Sequence, residues 1–244
     1  MSTDDAQPLD PMPADAERCE HPVVTIDGPA GTGKSSVARE LARRLGFHFL
    51  DTGAMYRAVA MLCLARGDDP TDAAAASGVV ASLSIGPDGR LAIDGCVADD
   101  ALRTPEVTQA ASLVAQHAAV RERLVAVQQE FGCVRPTVTE GRDQGTVVFP
   151  NAAVKFFLDA SVEERARRRQ RDVEAAGQHV SLDELTEQIR VRDDRDRNRA
   201  VAPLRPADDA EVIETSSLSL DAVADRLEAT VRERLGLSAT VPQS

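Results

Sequence analysis

The sequence predicts an α/β protein built on a parallel sheet, on three observations. The first is Gly28-Pro29-Ala30-Gly31-Thr32-Gly33-Lys34-Ser35, a G-x-x-x-x-G-K-S stretch lying between a β-branched run and a helix-spaced one. The second is an alternation of strand-length apolar runs with amphipathic helix-length runs along the 244 residues. The third is one break in that rhythm, from about 68 to 105, which reads as an inserted small subdomain.

Residues 1 to about 20 are rich in Asp, Glu, Ala and Pro, which predicts a disordered acidic tail whose deletion leaves the fold intact. Val23 to Asp27 predicts a buried strand, and Val37, Leu41 and Leu45 a helix ended by Gly46. Phe47 to Leu50 predicts a second strand, completing a compact right-handed βαβ unit. Asp51 to Arg57 then lie at a strand's carboxyl end, where open α/β sheets bind ligands. A helix follows from about Thr52 to Arg66, with Gly67 as its stop.

Within the insertion, Leu83-Ser84-Ile85 and Leu91-Ala92-Ile93 flank Gly86-Pro87-Asp88-Gly89, a hairpin signal. Helices are expected near 106–116 and 120–131, the second with Val120, Leu124, Val127 and Phe131 on one face. Thr137 to Glu140 and Val154 to Leu158 return to core strands, with Gly141 to Thr146 between them. Ser161-x-x-Glu164 and Ser181-x-x-Glu184 are capping boxes for two arginine-bearing helices. Glu211 to Thr215 predicts the last strand and about 219–235 the last helix, with a frayed end from about 238.

The net charge is -12 and aromatics are 3% with no Trp, which argues against nucleic-acid and anionic-membrane partners. No apolar run approaches membrane-spanning length, and no secretory signal is visible. Lys34 and Lys155 are the only lysines, so Lys34 stands where phosphate chemistry asks for one. Cys19, Cys63, Cys96 and Cys133 are far apart, and His21, His48, His117 and His179 do not cluster. No zinc site or disulfide framework is therefore expected, and the cysteines read as free thiols of a reducing cytoplasm.

The glycines of the 28–35 loop let successive backbone N–H groups turn toward phosphate oxygens, and the following helix adds its dipole. Lys34 can reach the β- and γ-phosphates, and the Ser35 hydroxyl can hold Mg²⁺. A second charged segment runs from Arg192 to Arg199. Helical geometry places Asp196 and Arg199 each within about 40° of Arg192, with Asp193 and Arg197 pointing elsewhere. Two guanidinium groups and a carboxylate there suit a phosphate and a ribose, and a solvated helix with i,i+4 ion pairs is the alternative. Of Arg165, Arg167, Arg168, Arg169 and Arg171, most read individually as solvated or salt-bridged. Glu140 reads equally as an orienter of metal-bound water or as a structural carboxylate.

IDGPAGTGKSS, LDTGAMYR, EGRDQGTVVFP, FLDAS and RDDRDRNRAVAPL, in that order from about Val23 to Gly236, resemble the bacterial cytidylate kinases. These are nucleoside monophosphate kinases. The resemblance implies a P-loop three-layer fold with a parallel five-stranded sheet, an enlarged monophosphate-binding insertion and an arginine-rich helical lid. It implies one kinase domain over 21–237: a core of about 22–55, 123–165 and 205–237, a monophosphate-binding subdomain of about 56–122, and a lid of about 166–204. Gly28, Pro29, Ala30, Gly31, Thr32, Gly33, Lys34, Ser35 and Ser36 would bind the phosphates of ATP. Arg57, Arg142 and Arg199 would surround the acceptor phosphate with Thr52, and Arg192 and Asp196 would hold the ribose. Ser112, Arg121 and Asp143 would face cytosine. Lys34, Arg192 and Arg199 would neutralise charge on the transferred group.

The implied reaction is γ-phosphoryl transfer from ATP to CMP, and to dCMP, by a cytoplasmic monomer of pyrimidine nucleotide metabolism. Gln144 stands where the family usually has Met or Ile, and the acidic tail is longer than the family needs. The rival readings are a kinase for UMP, AMP or shikimate, and a non-catalytic nucleotide switch. A GTPase-type switch would carry N-K-x-D, which is absent from the sequence.

Overall fold

The computed structural model describes residues 19–80, 83–86, 91–93, 96–97, 104–175 and 177–238. Most of the expected acidic tail, the turn at 87–90 and the end from 239 lie outside the described residues. Strand β1 (Val23–Asp27) is buried along its whole length, so it needs partners on both edges. It finds them in β6 (Thr137–Gly141) and β7 (Val154–Asp159), within a five-stranded parallel sheet of order β2-β6-β1-β7-β8. The outer strands are β2 (His48–Asp51) and β8 (Glu211–Glu214).

The compact β1–helix–β2 unit is present, but β6 lies between its two strands. A crossover helix spans two strand spacings, about 10 Å, as readily as one. The connecting helix α1 (Lys34–Leu45) packs with α8 (Leu220–Leu235) on the sheet. Val24, Ile26, Leu41, Phe156 and Leu227 form that core.

A second core joins four helices: α2 (Thr52–Arg66), α3 (Ala73–Val80), α4 (Pro105–Val114) and α5 (Ala118–Cys133). Val120, Leu124, Val127 and Phe131 are all buried there, as their spacing predicts. Helix α3 was not expected. Its sequence, AAAASGVV, is too uniform in polarity to show a helical period, and Asp72 starts it by accepting from the amides of Ala74 and Ala75. The insertion also carries an antiparallel ladder of β3 (Leu83–Ile85), β4 (Leu91–Ile93) and β5 (Cys96–Val97), with Leu83 opposite Ile93 as the hairpin reading requires.

Helices α6 (Val162–Ala175) and α7 (Leu182–Asn198) pack over a small core of Ala166, Leu185 and Ile189. Ser161 and Ser181 accept from the amides of Glu164 and Glu184, as their capping boxes predict.

The cysteine expectation is overturned: Cys19 and Cys133 are joined in a disulfide. The partners stand 114 residues apart, a separation that carries no sequence signal. Cys19 also packs on Val23, Val148 and Phe149, so a deletion through residue 20 would remove part of the fold. Cys63 is a free, buried thiol.

Candidate active site

Gly28 follows β1 at φ 146°, and a Cβ there would lie 2.0 Å from the Leu158 carbonyl oxygen, so only glycine fits. Gly33, at φ 89°, caps α1 and turns the loop into the helix N-terminus. Lys34 opens α1, is buried, and folds back to donate to the Pro29 carbonyl at 2.6 Å. The Thr32 hydroxyl donates to the same carbonyl at 3.1 Å, so the loop is braced from inside.

Burial pushes the Lys34 ammonium down to about 7, with Arg142 and then Arg192 adding repulsion against the pull of Glu140 and Asp27. Phosphate oxygens beside it would reverse that shift. The Ser35 hydroxyl donates to Glu140 Oε1 at 2.9 Å. These are hard oxygen donors, suited to Mg²⁺ completed by phosphate oxygens and water. Among the described residues no group of three or more His, Cys, Asp and Glu is placed to hold a metal by itself. Burial, followed by the charge of Asp51, raises the Glu140 carboxyl.

Beside the loop is a cavity of about 440 Å³, lined by Thr32, Gly33, Ser36, Arg168, Thr215 and Ser217 among others. Two helix α6 arginines form part of the loop's support. Arg165 donates to the Ala30 carbonyl at 3.0 Å, and Arg168 to the carbonyls of Thr32 at 3.1 Å and Thr215 at 2.6 Å. Both also pair with carboxylates, Arg165 with Asp193 and Arg168 with Glu164, as the salt-bridged reading expects, but their bonds to the loop were not expected, because a helix pattern shows spacing and not which neighbour covers a face.

The residues expected for the acceptor come from five separate segments. Asp51 caps α2 through the Ala54 amide and holds Arg57 Nη2 at 3.3–3.4 Å. Thr52 donates to the Glu140 carbonyl at 2.7 Å. Arg142 follows β6 and donates to Asp196 of α7 at 2.9 Å. Although burial opposes it, Arg142 and Arg192 hold the Asp196 carboxyl below its usual range. Burial, aided by Arg142, lowers Arg192 to about 10, with Arg169 and Arg57 also acting on it. These couplings bring Arg57, Arg142 and Arg192 into one positive cluster that reaches Lys34.

Helix α7 ends at Asn198, and Arg199 is extended at φ -64°, ψ 140°. Its side chain therefore reaches the cluster from a turn, and not from the helical face predicted for it. It donates to the Ala202 carbonyl and stands 3.6 Å from Asp143. Asp193 is also not idle: it is buried and paired with Arg165.

Asp143 and Arg121 pair directly, and Arg121 donates to the Tyr56 hydroxyl at 3.3 Å. Ser112 accepts from Arg195 at 3.1 Å. Asp143 precedes a π-helical turn, Gln144–Val148, where the sequence suggested only a loop. The turn is pinned by the Asp27 carboxylate, which accepts from the amides of Gln144 at 2.9 Å and Gly145 at 2.7 Å. Gln144 bonds to Gln128 and Thr139 in a buried polar network.

Among the described residues Arg57 Nε, Arg192 Nε and Arg199 Nη2 are buried and make no hydrogen bond. Three such guanidinium donors in one cluster fit an anion with several acceptor oxygens.

A family model described as cytidylate kinase matches residues 24–233. A cytidylate kinase of Geobacter sulfurreducens is 45% identical over 217 residues, covering 87% of this chain and 93% of that one. The chain belongs to the cytidylate kinase family. A cytidylate kinase of Pasteurella multocida is 41% identical, with 89% and 98% covered. A bifunctional pantoate ligase/cytidylate kinase of a Synechococcus strain is 48% identical, but the chain spans only 45% of its length. An uncharacterized protein of Eubacterium ventriosum superposes with a TM-score of 0.51 at 12% identity, covering 88% of this chain and 99% of that one, a likeness of fold alone. In this family member, sequence reasoning missed Arg165, Arg168 and Thr215. The one available signal for Thr215 was its place at a strand's carboxyl end.

Proposed function

We propose that the protein transfers the γ-phosphoryl group of ATP to CMP and dCMP, giving ADP and CDP or dCDP. The reading is carried by the cluster of unmatched buried guanidinium donors on Arg57, Arg192 and Arg199, electrostatically continuous with Lys34. An acceptor phosphate oxygen attacks the γ-phosphorus, the bond to the β,γ-bridging oxygen breaks, and its electron pair leaves with ADP. The acceptor is already an oxyanion at neutral pH, so no strong general base is needed. Positioning and charge stabilisation supply the rate.

Residues 28–36 bind the donor phosphates, and the cavity lined by Arg168 and Thr215 takes the donor nucleoside. Mg²⁺, held by Ser35 and phosphate oxygens with Glu140 behind it, would supply charge neutralisation. Arg57, Arg142, Arg199 and Thr52 hold the acceptor phosphate, and Arg192 with Asp196 the ribose. Arg121 donates to cytosine N3 and O2, while Asp143 and Ser112 accept from its amine. Uracil offers the opposite pattern at N3 and position 4 and leaves buried groups unmatched. Lys34, Arg192 and Arg199 stabilise the transferring group.

We assign the core to about 22–55, 123–165 and 205–237, the acceptor subdomain to about 56–122 and the lid to about 166–204. The protein acts as a monomer in the cytoplasm, in pyrimidine nucleotide metabolism, without nucleic-acid or membrane partners. Among the described residues no helix is long and apolar enough to cross a membrane. The Cys19–Cys133 bond is the observation that pulls against a reducing compartment. The test is ADP formation from ATP and Mg²⁺ with CMP, dCMP, UMP and AMP. Selective stimulation by CMP and dCMP is expected. Equal use of UMP would replace the reading with a broader pyrimidine monophosphate kinase, and slow acceptor-independent hydrolysis alone would replace it with a switch.

A further inference from the structure

Arg165 and Asp193 form the most deeply buried ion pair between α6 and α7, with side chains 1% and 2% exposed. The contact is bidentate: Arg165 Nη1 lies 3.1 Å from Asp193 Oδ1 and Nη2 lies 2.6 Å from Oδ2. The same guanidinium donates through Nε to the Ala160 carbonyl at 3.0 Å and through Nη1 to the Ala30 carbonyl at 3.0 Å. Ala30 belongs to the phosphate-binding loop. The loop also backs onto α6 at Gly31, where an added Cβ would meet the Arg165 Cβ at 3.1 Å. One side chain thus grips the donor loop and the helix that carries Arg192 and Asp196.

We infer that Arg165 and Asp193 are positioning residues, a latch that fixes the ligand-facing side of α7 against the phosphate-binding loop. Asp193 sits between Arg192 and the turn bearing Asp196, so the latch sets the register of both. Cohesion alone does not call for such a pair. Two apolar side chains of similar volume would hold α6 to α7 at least as well, because a buried ion pair loses much of its attraction to desolvation. They could not accept or donate at Ala30. The apolar core between the two helices is small, so this polar contact carries much of the orientation. Loosening it leaves each helix intact but lets α7 shift from the loop, misplacing Arg192 and admitting water, the competing acceptor.

The inference rests on the proposed transfer reaction for its kinetic consequence, and on geometry alone for its structural one. Three variants of the full chain test it: Arg165→Lys, Asp193→Asn, and the double Arg165→Met/Asp193→Leu, which removes both charges together and is chosen to fold. Amide hydrogen exchange over 186–196 should quicken at least ~10-fold in Arg165→Lys and Asp193→Asn while α8 is unchanged, whereas the double variant, which keeps the two helices packed and loses the contact to Ala30, should keep that protection. The ratio of CMP-dependent to CMP-independent ADP formation should fall by at least ~10-fold. A merely structural role lowers the folded fraction, which scales both activities equally and leaves that ratio alone. Unchanged α7 protection in both Arg165→Lys and Asp193→Asn overturns the latch. An unchanged ratio in folded variants overturns its role in transfer. If wild type forms no ADP in response to CMP, the transfer reading fails, and the exchange data still decide the latch.

Discussion

Two neighbouring helices carry most of the arginines beside the candidate site, and they use them differently. On α6, Arg165 and Arg168 direct their guanidinium groups at main-chain carbonyls of Ala30, Thr32, Ala160 and Thr215. On α7 and just beyond it, Arg192 Nε and Arg199 Nη2 are buried and make no hydrogen bond among the described residues. Burial alone does not separate the two groups. Satisfaction does: donors matched by the backbone shape a loop, and donors left unmatched in a positive cluster await an anion. The cost of removing each should differ in kind, one in stability and the other in turnover.

Lys34→Ala should give the largest effect. Among the described residues Lys34 bonds to Pro29 and Thr32 of its own loop and makes no ion pair, so its charge, like those of the unmatched donors, is free to meet an anion. Turnover should fall at least ~10²-fold with the melting temperature little changed, as initial rates and thermal melts will show. A variant keeping more than about a tenth of wild-type turnover would remove Lys34 from that set.

Arg192→Ala and Arg199→Ala should each lower kcat/KM for CMP by about 10²-fold, with KM for ATP nearly constant. Arg168→Ala should instead lower stability by about 1–3 kcal/mol, because it strands acceptors on Thr32 and Thr215. Steady-state kinetics beside denaturant titration measure both. The distinction between the helices collapses if Arg168→Ala costs turnover without stability and Arg192→Ala the reverse. Asp143→Ala should reduce kcat/KM for CMP by about 10-fold and so narrow its lead over UMP.

Two buried charges next to the loop give the comparison a pH signature. Burial raises the Asp27 carboxyl from 3.8 to about 7. Between those values the folded chain keeps a proton that the unfolded chain has lost, so stability falls as pH rises through the window. Lys34 is lowered from 10.5 to about 7, so above pH 7 the unfolded chain holds the extra proton and stability rises with pH. Asp27→Asn should flatten the lower arm, a difference of up to about 4 kcal/mol against wild type, followed by denaturant titration from pH 4 to 7. Parallel profiles would show that Asp27 ionises normally. Arg197→Ala should do least: its side chain is 49% exposed, and a change within ~0.5 kcal/mol with unaltered kinetics is expected.

The donor loop was legible because its chemistry is contiguous. Gly28 to Ser35 specify backbone shape, charge and hydroxyl within one strand–loop–helix unit, and each falls where the motif requires. The proposed acceptor cluster is assembled from α2, α4, α5, α7 and the segment that follows β6. Ser112 and Arg121 sit in helices with no motif of their own and were reached only through family resemblance. Asp193 points away from the Arg192 and Asp196 side as its spacing predicts, but helical periodicity gives only a direction and not that Arg165 of α6 covers it. The place of β6 between β1 and β2 follows from long-range pairing that connection length does not encode. Gln144 was legible as an oddity, but its partners Gln128 and Thr139 were not.

The Cys19–Cys133 bond closes a covalent ring whose partners are 114 residues apart. Inside the ring lie β1, the phosphate-binding loop, α1, β2 and the whole insertion; β6, β7, α6, α7, β8 and α8 form an open arm. Closing a ring of that size restricts the unfolded chain by roughly 5 kcal/mol in the chain-entropy model. It also sets a mechanical path. A pull on the two ends of the described chain passes from residue 19 across the bond to residue 133. The arm can be drawn out, while the ring's contour contributes no extension until the sulfurs are reduced.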